Sequence, residues 1–237
     1  MIVKLAYIEE PPFYWTEKDR SVTGSDIALA EVVLKAIGVT SIEHVATSFA
    51  EFLPGVNAGR WDMNVPIFVS EERAKEVLFS VPVWALGDGF LLPAGNPKAL
   101  SSYKSIAANK DFRLGAVAGT VQIGAAKTAG VAGEQIVIFK DQPEAITALR
   151  DRKIDAFVGT AVGNRALAEA NGGFETVAHE QNKGSKAPVG AFSFSKENTK
   201  LQQAVNDQLL KYLGSEDHRS RMAEFGITNT EIDSVVV

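Results

Sequence analysis

The sequence has no cysteine, which excludes a disulfide framework and any thiolate site and leaves folding indifferent to redox compartment. Histidine is scarce. His44, His179 and His218 are scattered without ligand spacing, so no zinc site is expected. No apolar run approaches the roughly 20 residues of a membrane-spanning helix, and direct membrane insertion is not expected. Positive charge is not in excess either. The 24 Lys and Arg against 29 Asp and Glu give a net charge of -5, which argues against nucleic acid or an anionic membrane as partner.

What remains is an ordinary globular composition, 46% hydrophobic and 22% charged, in a chain of 237 residues that can bury one large domain or two lobes. It opens directly on a strand-like "IVKLAYI". In an exported protein the signal peptide would have been removed, leaving Met1 as a start placed before the mature chain.

Elements follow an alternating order. Val3 to Ile8 reads as a strand ending at Glu9-Glu10-Pro11-Pro12, where two prolines forbid a helix. "TGSDIALAEVVLKAIG" reads as a helix with Ser25 at its N-cap, Asp26 at its positive end and Gly38 closing it. "EHVATS", "FLPGVNAG" and "WDMNVPIF" continue as strand, short helix and strand. A second unit repeats the pattern with "FRLGAVAG", "TVQIGAAKTAG", "QIVIF", "QPEAITALRDR" and "IDAFVG". The two units echo one another: in each, a helix and a basic turn precede an apolar strand that begins at an aspartate, Asp62 or Asp155. Between them runs an extended crossing, "SVPVWALGDGFLLPAGNP", and "KAPVGAFSFSKEN" reads as the return. A helical C-terminal stretch follows, with Leu201, Val205, Leu209 and Tyr212 on one face. This order predicts an α/β protein of two lobes, residues 1–86 with 188–237 and residues 87–187, each a mostly parallel sheet flanked by helices and joined by two hinge strands. Ligands bind at the carboxyl ends of parallel strands, so a shared cleft closing by hinge motion is expected.

"GSDIALAEVVLKAIG", "NAGRWDMNVPIFVSEERAKEVLFSVPV", "GAVAGT" and "RKIDAFVGT" resemble, in order and spacing, the landmarks of periplasmic solute-binding proteins that serve polar-amino-acid ABC importers. The resemblance spans nearly the whole chain and implies the type II periplasmic-binding-protein fold. It also implies that Arg73 grips the carboxylate of an amino-acid-like ligand. Independently, a guanidinium offers a forked, permanently charged donor set that lysine cannot match. On residues alone, Arg73 could equally cap a helix or pair with Glu76.

Family members that bind ordinary α-amino acids place an aspartate where this chain has Thr160, so a primary ammonium loses its strongest partner here. The site pattern resembles the ectoine and hydroxyectoine branch. That maps the cation-side carboxylate onto Glu10 and the aromatic walls onto Phe13, Phe49 and Phe68. Phe49 stands where that branch has a tyrosine, so one hydroxyl towards hydroxyectoine is missing. Ring faces suit a delocalised or alkylated cation, while core packing is the plain alternative for each phenylalanine. Gly119 and Thr120, at a strand-to-helix turn, are expected to share the carboxylate with Arg73; a purely structural N-cap is the alternative for Thr120. Asn164 is a further candidate hydrogen-bond partner. Trp15 and Trp84 are candidates to shield the cleft, with hinge or surface packing the favoured alternative for each, and Asp26, Asp62 and Asp155 are read as holders of turns and helix starts.

The expected function is therefore a monomeric solute receptor without cofactor or catalysis. It is periplasmic, or lipid-anchored outside a Gram-positive cell, and delivers a small zwitterion (an ectoine-like solute, a betaine or a modified amino acid) to an ABC permease. An opine or a basic or polar amino acid is the alternative ligand. A cyclohexadienyl-dehydratase-like enzyme is the alternative activity, for which Glu10 is the one obvious acid.

Overall fold

Residues 1–179 and 187–236 are described by the computed structural model. They fall into two units, the first Met1–Leu86 with Pro188–Val237 and the second Gly87–Ala187. The return crossing read from "KAPVGAFSFSKEN" begins at Lys186, which lies outside the described residues.

The first unit runs β1 (Ile2–Tyr7), a small hairpin of β2 (Trp15–Thr16) and β3 (Val22–Thr23), then α1 (Ser25–Ala36) and β4 (Ser41–Ala46). After these come α2 (Phe52–Asn57), β5 (Met63–Phe68), α3 (Glu71–Ala74), β6 (Leu78–Phe79) and β7 (Trp84–Ala85). The second unit holds β8 (Asp88–Pro93), α4 (Tyr103–Ala108), β9 (Leu114–Val117), α5 (Val121–Thr128), β10 (Ile136–Phe139) and α6 (Gln142–Arg150). It ends with β11 (Ala156–Thr160), α7 (Ala161–Ala170) and β12 (Phe174–Ala178). The chain then completes the first unit with β13 (Val189–Phe194), α8 (Thr199–Tyr212), α9 (Glu216–Ala223) and α10 (Asn229–Asp233).

Both sheets are mixed. In the first, strand order is β4-β1-β5-β13-β6 with β7 also on β13; β1 is parallel to β4 and β5, while β13 runs against β5, β6 and β7. In the second, β10, β9 and β11 are parallel and β8 runs against both β11 and β12. The reversed strands, β8 and β13, are the ones that open each stretch of chain after it passes from one unit to the other. A connection without a crossover helix enters the sheet from the end its parallel neighbours leave, so reversal follows from the connectivity.

Burial follows the strand period. β5, flanked by β1 and β13, is buried along its whole length. In the second unit Phe90, Leu92, Ala156 and Val158 feed one apolar cluster with Tyr103 and Leu114. The alternate positions Leu91 and Phe157 feed another with Ile146 and Leu149, so helices cover both faces. Two expectations change. Gly24, not Ser25, occupies the N-cap of α1. The C-terminal helical stretch is broken after Tyr212, where Gly214 adopts φ 78°, and Tyr212 leaves the buried face to donate its hydroxyl to Asp217 at 2.6 Å.

The repeated aspartates have one shared task. Asp62, just before β5, accepts the amide of Lys4 at 2.7 Å while its own amide donates to the Lys4 carbonyl at 3.0 Å. Asp155, just before β11, accepts the amide of Arg113 at 2.8 Å and donates to the Arg113 carbonyl at 2.8 Å. Each clamp satisfies a backbone donor where two parallel strands start. Replacing Asp62 or Asp155 by alanine should each cost about 1 kcal/mol, and the two losses should add to within about 0.5 kcal/mol because they share no partner. Urea unfolding of the two single variants and the double variant measures this. A cost far above the sum would mean that the clamps are coupled.

Candidate functional site

In the first unit the candidate residues gather where β1, β4 and β5 end. After β1 the chain folds back on itself: the Glu10 amide donates to the Tyr14 carbonyl at 2.8 Å, and the amides of Phe13 and Tyr14 both donate to the Glu10 carbonyl. The first two amides of α1 hold this loop, Ser25 donating to Pro12 at 2.9 Å and Asp26 to Phe13 at 3.0 Å. Gly24 makes the approach possible. Its φ is 128°, and a Cβ there would lie 2.2 Å from the Phe13 carbonyl oxygen.

The loop buries Phe13 and Tyr14 and leaves Glu10 half-buried. Tyr14 donates its hydroxyl to Glu10 Oε2 at 3.1 Å. Burial raises the Glu10 carboxyl to about 7 against this hydrogen bond. Asp26 is fully buried on α1. It accepts the Trp84 indole N–H at 3.1 Å on Oδ1, and Oδ2 has no partner among the described residues. Burial drives its carboxyl well above the carboxylate range; the indole opposes this, and the charge of Glu10 adds to it. The Trp84 ring stands 6.2 Å from Phe13 and 5.2 Å from Phe68, so the indole that holds Asp26 also packs against both phenyl rings.

Arg73 reaches this region through a short turn. Ser70 caps α3 by accepting the Arg73 amide at 3.2 Å, which brings the side chain back over the end of β5. There Arg73 Nη1 donates to the Phe68 carbonyl at 2.6 Å, and its guanidinium lies 5.2 Å from the centre of the Phe49 ring. Phe49 opens the short 3-10 turn before α2 and rests edge-on against Phe52 at 5.7 Å. The hydrogen bond to Phe68 and the Phe49 ring both orient the half-buried guanidinium.

In the second unit the other candidates stand at the carboxyl ends of β9 and β11. Gly119, with φ 80°, and Thr120 form the turn into α5; the Thr120 hydroxyl donates to the Val117 carbonyl at 2.8 Å and does not cap the helix. Thr160 does cap α7, accepting the Gly163 amide at 3.0 Å. Asn164, 1% exposed, donates to the Gly89 carbonyl at 2.8 Å and ties α7 to β8. A Cβ on Gly89 would sit 2.7 Å from the Ala161 Cα, so this junction needs glycine.

Several residues here were not legible as site residues. Tyr14 is anonymous in sequence, although a hydroxyl four positions from an acid across two prolines is a usable signal. Asp26 reads as a helix-start acid, yet its carboxyl turns to Trp84. Trp84, read as packing, binds Asp26 and faces both phenylalanines. Trp15, by contrast, lies against Phe225 at 6.1 Å and donates to Glu17 at 2.9 Å.

Residues 3–220 match the family of bacterial extracellular solute-binding proteins, family 3, and the chain belongs to that family. Among its relatives is a probable amino-acid ABC transporter periplasmic-binding protein, y4tE, of Sinorhizobium fredii (strain NBRC 101917 / NGR234). It is 27% identical over 240 residues, 98% of this chain and 79% of its own. The crystal structure of EhuB in complex with hydroxyectoine is 25% identical with a TM-score of 0.86, covering 100% of this chain and 94% of EhuB. The AbpA protein of Streptococcus pneumoniae bound to L-arginine, 20% identical with a TM-score of 0.83 over 100% of this chain and 96% of its own, shares the fold. That fold is the type II periplasmic-binding-protein fold. Among the described residues no helix is long and apolar enough to cross a membrane.

The Glu10 carboxyl sets a pH dependence. Its folded value of about 7 lies above the ordinary 4.5, so between these limits the folded chain keeps a proton that the unfolded chain releases. Stability is full below pH 4.5 and declines as pH rises to 7, by up to about 3 kcal/mol. Glu10→Gln cannot ionise and should escape this decline. Its stability relative to the parent should therefore grow across that window and level off above it. Urea unfolding of ligand-free protein at a series of pH values checks this; a constant difference between the two proteins would place Glu10 in water.

Proposed function

We propose that this chain is the periplasmic solute receptor of an ABC importer and that its solute is a small zwitterion with a delocalised or alkylated cation. The solute's carboxylate docks on Arg73, and its cation lies against the rings of Phe13, Phe49 and Phe68 with Glu10 as counter-charge. The observation that carries this reading is an oriented guanidinium over the end of β5, with the Phe49 ring beside it, together with a desolvated acid in the loop that follows the neighbouring strand β1. A desolvated carboxyl near neutrality gains most from a neighbouring cation, because that cation restores its charged form. The likeness to hydroxyectoine-bound EhuB supports an ectoine-like solute. Gly119, Thr120, Thr160 and Asn164 are the remaining candidate contacts, on the second unit. Delivery of the solute to the membrane permease of the importer completes the role; the Sinorhizobium relative is named as a probable amino-acid ABC transporter periplasmic-binding protein.

A second reading has one specific observation behind it. A carboxyl poised at about 7 also suits a general acid or base, which a dehydratase acting on a cyclohexadienyl acid would need. Incubation with such an acid separates the two: a receptor returns it unchanged, whereas turnover lost in Glu10→Gln would establish the enzyme.

Arg73→Lys keeps the charge and loses both the fork and the bond to Phe68. Affinity for the best zwitterion found in a thermal-shift panel should fall by about 2 to 4 kcal/mol in calorimetry. An affinity close to the parent's would remove Arg73 from the site.

Phe→Leu at Phe13, Phe49 and Phe68 keeps apolar bulk and removes the ring face. Stability should fall by at most about 1.5 kcal/mol, and affinity by roughly 0.5 to 2 kcal/mol per ring. Melting temperature and affinity measured together decide the matter. Variants that melt early yet bind normally would reduce the rings to core packing.

A further inference from the structure

Asp88 opens β8 and stands opposite Thr160, the last residue of β11. The parallel strands β9, β10 and β11 all end at that edge, and parallel strands take their ligands at their carboxyl ends. A reversed strand enters the sheet where its parallel neighbours leave it. The first residue of β8, rather than its last, therefore reaches the ligand edge of the second unit.

Among the described residues, the side chains that hydrogen-bond this half-buried carboxylate are neutral donors. Gln122, on α5, donates its amide to Oδ1 at 2.9 Å, and Tyr103, on α4, donates its hydroxyl to Oδ2 at 2.7 Å. Each oxygen thus has one donor among the described residues and capacity for a second. The facing titratable group is His179, whose backbone amide donates to the Asp88 carbonyl at 2.9 Å and whose ring packs edge-on against Tyr103 at 4.7 Å. Burial pushes the Asp88 carboxyl up, while Tyr103, Gln122 and His179 pull it back. Among the described residues no lysine or arginine forms an ion pair with Asp88. Nor does any group of three His, Cys, Asp or Glu offer a metal site. An organic cation is the occupant that fits.

We propose that Asp88 is a solute-binding carboxylate of the second unit, oriented by Tyr103 and Gln122 to receive the solute's positive group. This rests on the reading of the solute as a zwitterion and supplies, beside Thr160, a negative charge that Thr160 itself lacks. A carboxylate held only to anchor α4 and α5 would stabilise the ligand-free chain. One held for a ligand leaves part of its desolvation uncompensated until the ligand arrives.

Calorimetry with hydroxyectoine, glycine betaine and L-arginine as probes, together with melting of the ligand-free proteins, distinguishes these cases. For Asp88→Asn, affinity for every probe the parent binds should fall by about tenfold or more, with the melting temperature unchanged or raised. Asp88→Ser serves as the second variant should Asp88→Asn fail to fold, and is read in the same way. Asp88→Glu, which keeps the charge, should recover part of the affinity. Asp155→Asn, at the opposite end of β11, should leave affinity unchanged. A fall in melting temperature with affinity within about threefold of the parent would restrict Asp88 to anchoring and overturn the proposal. If none of the three zwitterions binds the parent, the zwitterion reading itself fails and takes this inference with it. If they bind parent and variant alike, only this inference fails.

Discussion

The first two amides of α1 donate to the carbonyls of Pro12 and Phe13, and these two backbone bonds govern where the first unit keeps its charge. Helix N-termini leave donors that need acceptors. Here the acceptors come from a loop rather than a capping side chain, since Gly24 offers none. The loop is thereby pressed onto the helix, and Phe13 and Tyr14 become buried. Glu10 is carried with them into a setting where its charge is costly, and Asp26, on the same turn of α1, shares that setting. Trp84 closes the arrangement by donating to Asp26 and turning its ring to Phe13 and Phe68. The setting of Glu10 and Phe13 thus depends on one loop-helix contact and on the glycine that permits it, while Arg73 is held separately by Ser70, Phe68 and Phe49.

The second unit solves a comparable problem with sheet direction. Its parallel strands end at the turns of Gly119-Thr120 and Thr160, both followed by helices. The reversed β8 brings Asp88 to the same edge, and Gly89 lets α7 pack against it. Thr160 caps α7 and the Asn164 amide N–H ties it to β8, and Asp88 faces Thr160 across the β8–β11 pair. Both units start a parallel strand on an aspartate clamp, Asp62 or Asp155, so the likeness between the halves reaches individual hydrogen bonds.

Much of this was legible in the sequence. The alternation of strand and helix gave the elements of both units, because a parallel strand and its crossover helix each carry their own hydrophobic period. The five-residue spacing of Phe68 and Arg73 across Ser70 was readable too, since a cap and a single helical turn are local events. The echo of Asp62 and Asp155 was visible as a pattern, though its purpose was not: the partner amides lie 58 and 42 residues away. Asp26 does stand in the first turn of α1, but its indole partner, 58 residues distant, was not readable for the same reason.

The sequence by itself determined the alternating elements and the family landmarks. Tertiary structure decided which acids lose water, which rings meet, and that β8 and β13 run against their neighbours. The physical reason is that hydrophobic period and capping act over a few residues, whereas desolvation and strand direction are set by groups brought together from distant parts of the chain. Asp88 shows the difference. In sequence it is one acid in a glycine-rich crossing; beside Thr160, Tyr103 and Gln122 it is an oriented carboxylate at the edge where the parallel strands end.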